Sequence, residues 1–188
     1  MYADNGDGAL NEEDKKVIGT AQPDISFGIN SNFTYGNFEL GMFIDGQLGQ
    51  DLANVSNFQL LAFDASQQVN TVLNVWTPEN SSNVYPRLNA LNSGASPFVF
   101  SDRFIEDASF VRLQNVTLGY NFGKSVLSKL KLTQLNVFVS GTNLHIWTDY
   151  SGFNPDVSLT GSNTLALGHD NGGYPIARTF RMGLKLKF

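Results

Sequence analysis

The chain has 188 residues, no cysteine and a formal net charge of -5. The missing cysteines exclude a disulfide framework and a thiolate metal site, and the charge leaves no basic stripe to neutralise nucleic-acid phosphates, so no nucleic-acid partner is expected. Charged residues are 15% and aromatics 12%, with 15 Phe, against about 25% charged in ordinary globular domains, a mixture that suits an all-β chain with long polar loops.

Met1-Tyr2-Ala3-Asp4-Asn5-Gly6-Asp7 has neither a basic n-region nor an apolar h-region, so it does not read as a signal peptide, and an export signal is expected upstream. Asn5, Asp7, Gly8, Ala9, Asn11 and Asp14 fall at the spacing of a calcium loop, side-chain oxygens and the Ala9 carbonyl supplying the ligands. Ala3 stands where the first carboxylate belongs, and Asp14 is shorter than the usual bidentate Glu. An Asx-rich surface turn has the same composition. Calcium is the one cofactor the sequence suggests.

Five segments alternate with period two, the pattern of strands with one apolar face. In Ile25 to Tyr35, Ile25, Phe27, Ile29, Phe33 and Tyr35 share a face; in Phe38 to Ile44 and beyond, Phe38, Leu40, Met42 and Ile44 do. Gly36-Asn37 reads as a two-residue hairpin turn with positive φ at both residues. It pairs Tyr35 with Phe38, Phe33 with Leu40 and Ile29 with Ile44, which brings the apolar faces together. In the third strand, Phe110 to Phe122, Val116, Leu118, Tyr120 and Phe122 alternate, but Arg112 and Gln114 would then share their face. Either the strand leaves the apolar layer there or a bulge shifts its phase. The fourth runs over Lys131 to Asn143, with Leu135, Val137 and Val139 on one face. In the fifth, Phe180, Met182, Leu184, Leu186 and Phe188 oppose Arg181, Gly183, Lys185 and Lys187.

The connections alternate between short (Gly36-Asn37, Gly123 to Leu130) and long (Gly46 to Ser109, Leu144 to Arg178). Antiparallel strands send alternate loops to opposite ends, so one end is trim and the other elaborate, as in outer-membrane barrels. Phe58, Ala62, Ala65, Val69, Val72 and Trp76 form a helical stripe that Pro78 ends, which predicts a loop helix.

Several stretches together resemble the C-terminal part of SusC/RagA-family TonB-linked outer-membrane proteins. They are Asn5-Gly6-Asp7-Gly8 with Val17-Ile18-Gly19 and Pro23; Trp76-Thr77-Pro78-Glu79-Asn80; Ala108 to Tyr120; Ser140-Gly141-Thr142-Asn143-Leu144; Gly152-Phe153-Asn154-Pro155-Asp156; and Tyr174-Pro175 before the last strand. Their order and spacing carry the match over nearly the whole chain. The resemblance implies that residues 1–188 are one segment of a 22-stranded type of transmembrane barrel, an antiparallel meander of about five strands with long extracellular loops. Nothing matches the plug or the TonB box. It further implies an outer-membrane transporter of a Gram-negative bacterium that takes up oligosaccharides or peptides with a SusD-like surface lipoprotein and is driven by the TonB complex through a plug. The terminal Phe resembles the signature read by the barrel-assembly machinery. Phe180, Met182, Leu184, Leu186 and Phe188 would then meet lipid, while Arg181, Lys185 and Lys187 face a wet lumen.

Catalytic patterns are weak. His145 and His169 have neither a second His nor a Cys at ligand spacing. There is no nucleophile elbow or phosphate-binding loop, and Asp102, Glu106 and Asp107 read as a solvated loop before they read as a hydrolase pair. No enzymatic activity is expected. The loop aromatics Trp147, Tyr150, Phe153 and Tyr174 suit stacking on a ligand or partner, and equally a membrane interface. A soluble secreted β-sandwich that binds glycans is the alternative; it requires the apolar faces to meet a second sheet.

Overall fold

A computed structural model of the chain describes Gly6 and residues 16–61, 76–81, 102–157 and 167–188. Its elements, in chain order, are β1 (Ile25–Tyr35), β2 (Phe38–Leu48), β3 (Asp51–Asn54), α1 (Val55–Leu61), a 3-10 turn (Asp102–Phe104), β4 (Ile105–Asp107), β5 (Phe110–Asn121), α2 (Lys124–Leu130), β6 (Gln134–Thr148), β7 (His169–Asp170) and β8 (Thr179–Lys187). They divide into two compact units. No helix among the described residues is long and apolar enough to cross a membrane, which says nothing of a barrel that crosses with strands.

The larger unit (22–50, 108–155, 174–188) is a single antiparallel sheet in the order β1-β2-β5-β6-β8. This is the five-stranded meander that the alternation predicts. β1 and β2 pair in the expected register, Tyr35 with Phe38, Phe33 with Leu40 and Ile29 with Ile44. The turn departs from expectation in one respect. Gly36 has φ 58° and Asn37 does not have positive φ, the pattern of a hairpin turn with glycine at its first central position. Among the described residues β8 pairs with β6 alone, Leu184 opposite Val137, so β1 and β8 are the two edges of this sheet.

A bulge answers the question left by Arg112 and Gln114. Phe43 pairs with Asn115 but Ile44 with Leu113, so Gln114 has no opposite residue on β2. On the other side Leu113 pairs with His145 and Asn115 with Thr142, which leaves Asn143 and Leu144 against Gln114. Asn143 takes φ 55° there, a conformation Asn tolerates better than most residues. The single extra residue reverses the phase of β5, while the two extra residues on β6 leave its phase unchanged, so Val137, Val139, His145 and Trp147 share one face. β6 continues to Thr148 instead of ending at Asn143, and it starts at Gln134, after Lys131 has stopped α2.

The smaller unit (1–21, 51–107, 156–173) holds a three-stranded sheet, β4-β3-β7. β3 is antiparallel to β4 and parallel to β7. Leu52, Ala53 and Phe104 are buried apolar residues among its described ones, and Phe58 of α1 meets Phe104 edge to face at 5.1 Å. Asn54 starts α1, its Oδ1 accepting from the Asn57 backbone N–H at 2.8 Å, an ordinary side-chain N-cap. The predicted loop helix is therefore present from Val55; Ala62, Ala65, Val69 and Val72 lie outside the described residues, and Trp76 is not helical.

Candidate functional site

The register sorts every paired residue of the large sheet onto one of two faces, because directly opposed residues point the same way. On the first face Phe38 stands opposite Tyr35 and Tyr120, Leu40 opposite Phe33 and Leu118, and Val137 opposite Tyr120 and Leu184. The face is apolar and exposed across all five strands. Met182 is 84% exposed and Leu186 50%, where a soluble domain would bury such residues. Phe180 and Leu184 are equally uncovered, and Phe188 follows the last paired residue in the open. A contiguous apolar surface this wide marks an interaction surface for a membrane or another apolar partner.

Aromatics gather at its two ends. Near the tight turn, Phe38 and Tyr120 meet edge to face at 4.8 Å, and Tyr120 meets Phe122 at 5.0 Å. The Tyr120 hydroxyl accepts from Asn37 Nδ2 at 3.3 Å, which ties the ring to the turn. At the far end His145 and Trp147 lie 4.6 Å apart. Val137, opposite Tyr120, and Trp147, opposite Val111, are ten residues apart on β6. Two of those ten are taken up by the bulge, and the same span on β2, Phe38 to Gly46, is eight residues; at about 3.4 Å per residue and a tilt of roughly 40°, the vertical separation is about 21 Å, near the height of the apolar band of an outer-membrane barrel. Phe27 lies over Gly46, where a Cβ would come within 2.7 Å of both the Phe27 ring and the Phe110 carbonyl oxygen. Glycine is required there so that two strands and a ring can approach.

The second face is polar and internally bonded. Glu39 accepts from Asn121 Nδ2 at 2.6 Å, and Asn121 Oδ1 accepts from Asn136 Nδ2 at 2.8 Å, a chain across β2, β5 and β6. Thr117 donates to Asn115 Oδ1 at 3.1 Å. The bulge puts Arg112 on this side, where it grips Asp45 with two bonds, Nε to Oδ1 at 3.1 Å and Nη2 to Oδ2. Paired, planar and flanked by the Phe110 ring at 5.3 Å, the guanidinium has the fork geometry that makes such pairs specific. A hollow of about 580 Å³ opens on this face, lined from all five strands, among others by Asn30, Asn32, Glu39, Thr117, Asn136 and Lys185. The Lys185 ammonium rests 5.3 Å above the Phe138 ring. A hollow on one side of a single sheet makes that side concave and the apolar side convex.

The loop aromatics separate. Trp147 belongs to β6 and stands on the apolar face beside His145, not in a loop. Tyr150, expected to be exposed, is buried at 5%, because the chain turns inward after β6 and its N–H bonds Thr148 Oγ1 at 3.2 Å. Phe153 and Tyr174 are exposed. In the smaller unit His169 lines a hollow with Asp51 and Thr20, but the Asp51 carboxylate accepts from the Thr20 N–H at 3.0 Å. Glu106 accepts from Asn54 Nδ2 at 2.9 Å. Asp170, buried, accepts from the backbone N–H groups of Gly172 and Gly173 at 3.0 and 2.8 Å, a turn-forming role. Among the described residues no cluster of His, Asp and Glu could hold a metal. Asn5, Asp7, Ala9, Asn11 and Asp14, the calcium-loop positions, lie outside the described residues.

The comparisons agree with the two-faced sheet. No family model matches the chain. It is 33% identical over 193 residues to the TonB-dependent receptor P3 of Formosa agariphila, covering 100% of this chain and 19% of that protein. It is 28% identical over 195 residues to the TonB-dependent receptor SusC of Bacteroides thetaiotaomicron, covering 100% of this chain and 17% of that one. Of solved structures, the RagAB peptide transporter superposes with a TM-score of 0.78 at 22% identity over 96% of this chain and 19% of its own. The chain spans about a fifth of the length of these relatives. It belongs to the TonB-dependent receptors of the SusC/RagA type, as a segment of their β-barrel.

Proposed function

We propose that this segment is part of the wall of an outer-membrane, TonB-dependent transporter that imports bulky nutrients, oligosaccharides or peptides, together with a SusD-like surface lipoprotein. The observation that carries the reading is the division of one sheet into a convex apolar face, uncovered on Phe180, Met182, Leu184 and Leu186, and a concave polar face bonded through Glu39, Asn121 and Asn136. Lipid on one side and a wet lumen on the other require that division. A wall of this kind binds and guides but does no chemistry, so energy enters from the TonB complex through a plug and no enzymatic step is assigned to the barrel. The names of the relatives support uptake, one of the solved structures being described as a peptide transporter. Phe153 and Tyr174, exposed in the larger unit, are the aromatics available to a ligand or to the lipoprotein.

The soluble β-sandwich reading needs a second sheet over the apolar face, and the exposure of that face argues against it. The test is deletion of the whole receptor in its host, followed by growth on a panel of oligosaccharides and peptides with and without TonB. Loss of one class of nutrient in both the receptor and the TonB mutant is expected. Growth unaffected on every substrate, with the receptor absent from outer-membrane fractions of the wild type, would overturn the proposal.

A further inference from the structure

α2 joins β5 to β6 at the tight-turn end of the sheet, and its sequence, Lys-Ser-Val-Leu-Ser-Lys-Leu, is not explained by packing. None of its residues is buried, and Val126 and Leu130 are exposed. Helix energetics account for Lys129, which stands in the last turn where backbone carbonyls favour a cation. They do not account for Lys124, which stands in the first turn where a cation is unfavourable and where no acidic residue is present. Nor do they account for Lys131. It closes the helix in the left-handed conformation, φ 56° and ψ 37°, with its N–H on the Ser128 carbonyl and the Leu132 N–H on that of Leu127. Glycine takes that position at lower cost.

We propose that Lys124, Lys129 and Lys131, with Val126 and Leu130, bind the headgroups of anionic phospholipids at the inner rim of the barrel wall. The inference rests on the transporter reading, which places tight turns on the periplasmic side. Two observations select lipid as the occupant. The first is continuity: α2, with Val126 and Leu130 exposed, lies in the connection between Phe122 and Leu135, which belong to the convex face of β5 and β6. The second is charge. Residues 108–148 and 171–188 contain Arg112, Lys124, Lys129, Lys131, Arg178, Arg181, Lys185 and Lys187 and no Asp or Glu. The acid on the adjoining part of β2, Glu39, lies on the polar face and is held by Asn121. An approaching phosphate diester on the convex side therefore meets ammonium groups at the rim while its acyl chains lie along the apolar band.

The experiment uses the whole receptor, purified in a neutral detergent, with binding of phosphatidylglycerol and phosphatidylcholine compared by native mass spectrometry. Phosphatidylglycerol should be preferred, and the preference should fall as salt is raised. Each lysine near an anionic surface contributes about fivefold, so the combined Lys124→Gln, Lys129→Gln and Lys131→Gln variant should bind phosphatidylglycerol about tenfold or more weakly. The corresponding triple Arg variant should keep it. Lys185→Gln with Lys187→Gln, on the other face, should leave it unchanged. Equal binding of the two lipids by the wild type, or a Gln variant that binds as the wild type does, would overturn the site. Should the Gln variant fail to assemble, the salt dependence of the wild type and the single Lys124→Gln variant decide the matter. A receptor that never forms a heat-modifiable barrel would contradict the transporter reading itself, whereas a well-assembled barrel without lipid preference overturns this site alone.

Discussion

The two units solve the same problem in opposite ways. The smaller one turns its apolar residues inward: Leu52 and Phe104 are buried, and Phe58 closes over Phe104. The larger one turns them outward, keeping Asn, Thr and a salt bridge on its inner side. Both are β-rich and come from one chain, and the proposed transporter role assigns the difference to the medium each surface faces. Where water surrounds a unit, burial of apolar area drives folding. Where hydrocarbon surrounds it, apolar side chains gain nothing from being hidden, and the polar residues are the ones that must find partners.

Substitutions can break this contrast. The largest effect is expected from Phe104→Ala, which opens a cavity in the only sizeable apolar cluster among the described residues of the smaller unit and costs about 3–5 kcal/mol. Hydrogen exchange should show β3 and β4 opening while the amount of assembled receptor in outer membranes stays the same. Next is Leu184→Lys in the whole receptor. A charge on the convex face costs about 2–4 kcal/mol at the bilayer midplane, and heat-modifiable barrel should become scarce. Lys185→Leu, one residue away, should be mild. Normal assembly of the first with failure of the second would reverse the assignment of faces.

Smaller effects sharpen the polar side. Asp45→Ala leaves the Arg112 guanidinium without its two-pronged partner; the side chains are 11% and 20% exposed, so the loss is about 1–3 kcal/mol. Urea unfolding in detergent should show it, and Arg112→Met combined with Asp45→Leu should recover much of it. Gly36→Ala should cost about 1 kcal/mol, since φ 58° is strained for alanine; the same unfolding assay reads it, and Gly36→Asn should be milder.

Much of the sheet was legible because its signal is local. Alternation in Ile25–Tyr35 and a two-residue turn dictate a register, and the pairing of Ile29 with Ile44 follows by counting. The bulge was visible only as a conflict at Arg112 and Gln114. Its resolution depends on Asp45, 67 positions away in sequence from Arg112, and on Asn143 adopting positive φ, neither of which a period can announce. β3, β4 and β7 were missed because strands of four, three and two residues are too short to show a period. α2 was read as plain loop, since in seven residues the spacing of Val126, Leu127 and Leu130 covers little more than one turn and shows no sustained period. Trp147 was misplaced for the same reason as the end of β6: Gly141 and Asn143 interrupt the apolar series that Val137 and Val139 begin and His145 and Trp147 continue.

The central claim is that one face of the large sheet meets lipid and the other water, and β8 tests it most directly. This segment has no cysteine, so single cysteines can be placed at each position from Phe180 to Lys187 of the whole receptor, with any cysteine elsewhere removed. Labelling by a water-soluble maleimide and quenching by bromine-bearing lipid are then measured in intact outer membranes. The account predicts strict alternation, with positions 181, 183, 185 and 187 labelled from water and 180, 182, 184 and 186 quenched from lipid. Uniform water labelling along the strand, or alternation in the opposite phase, would contradict it.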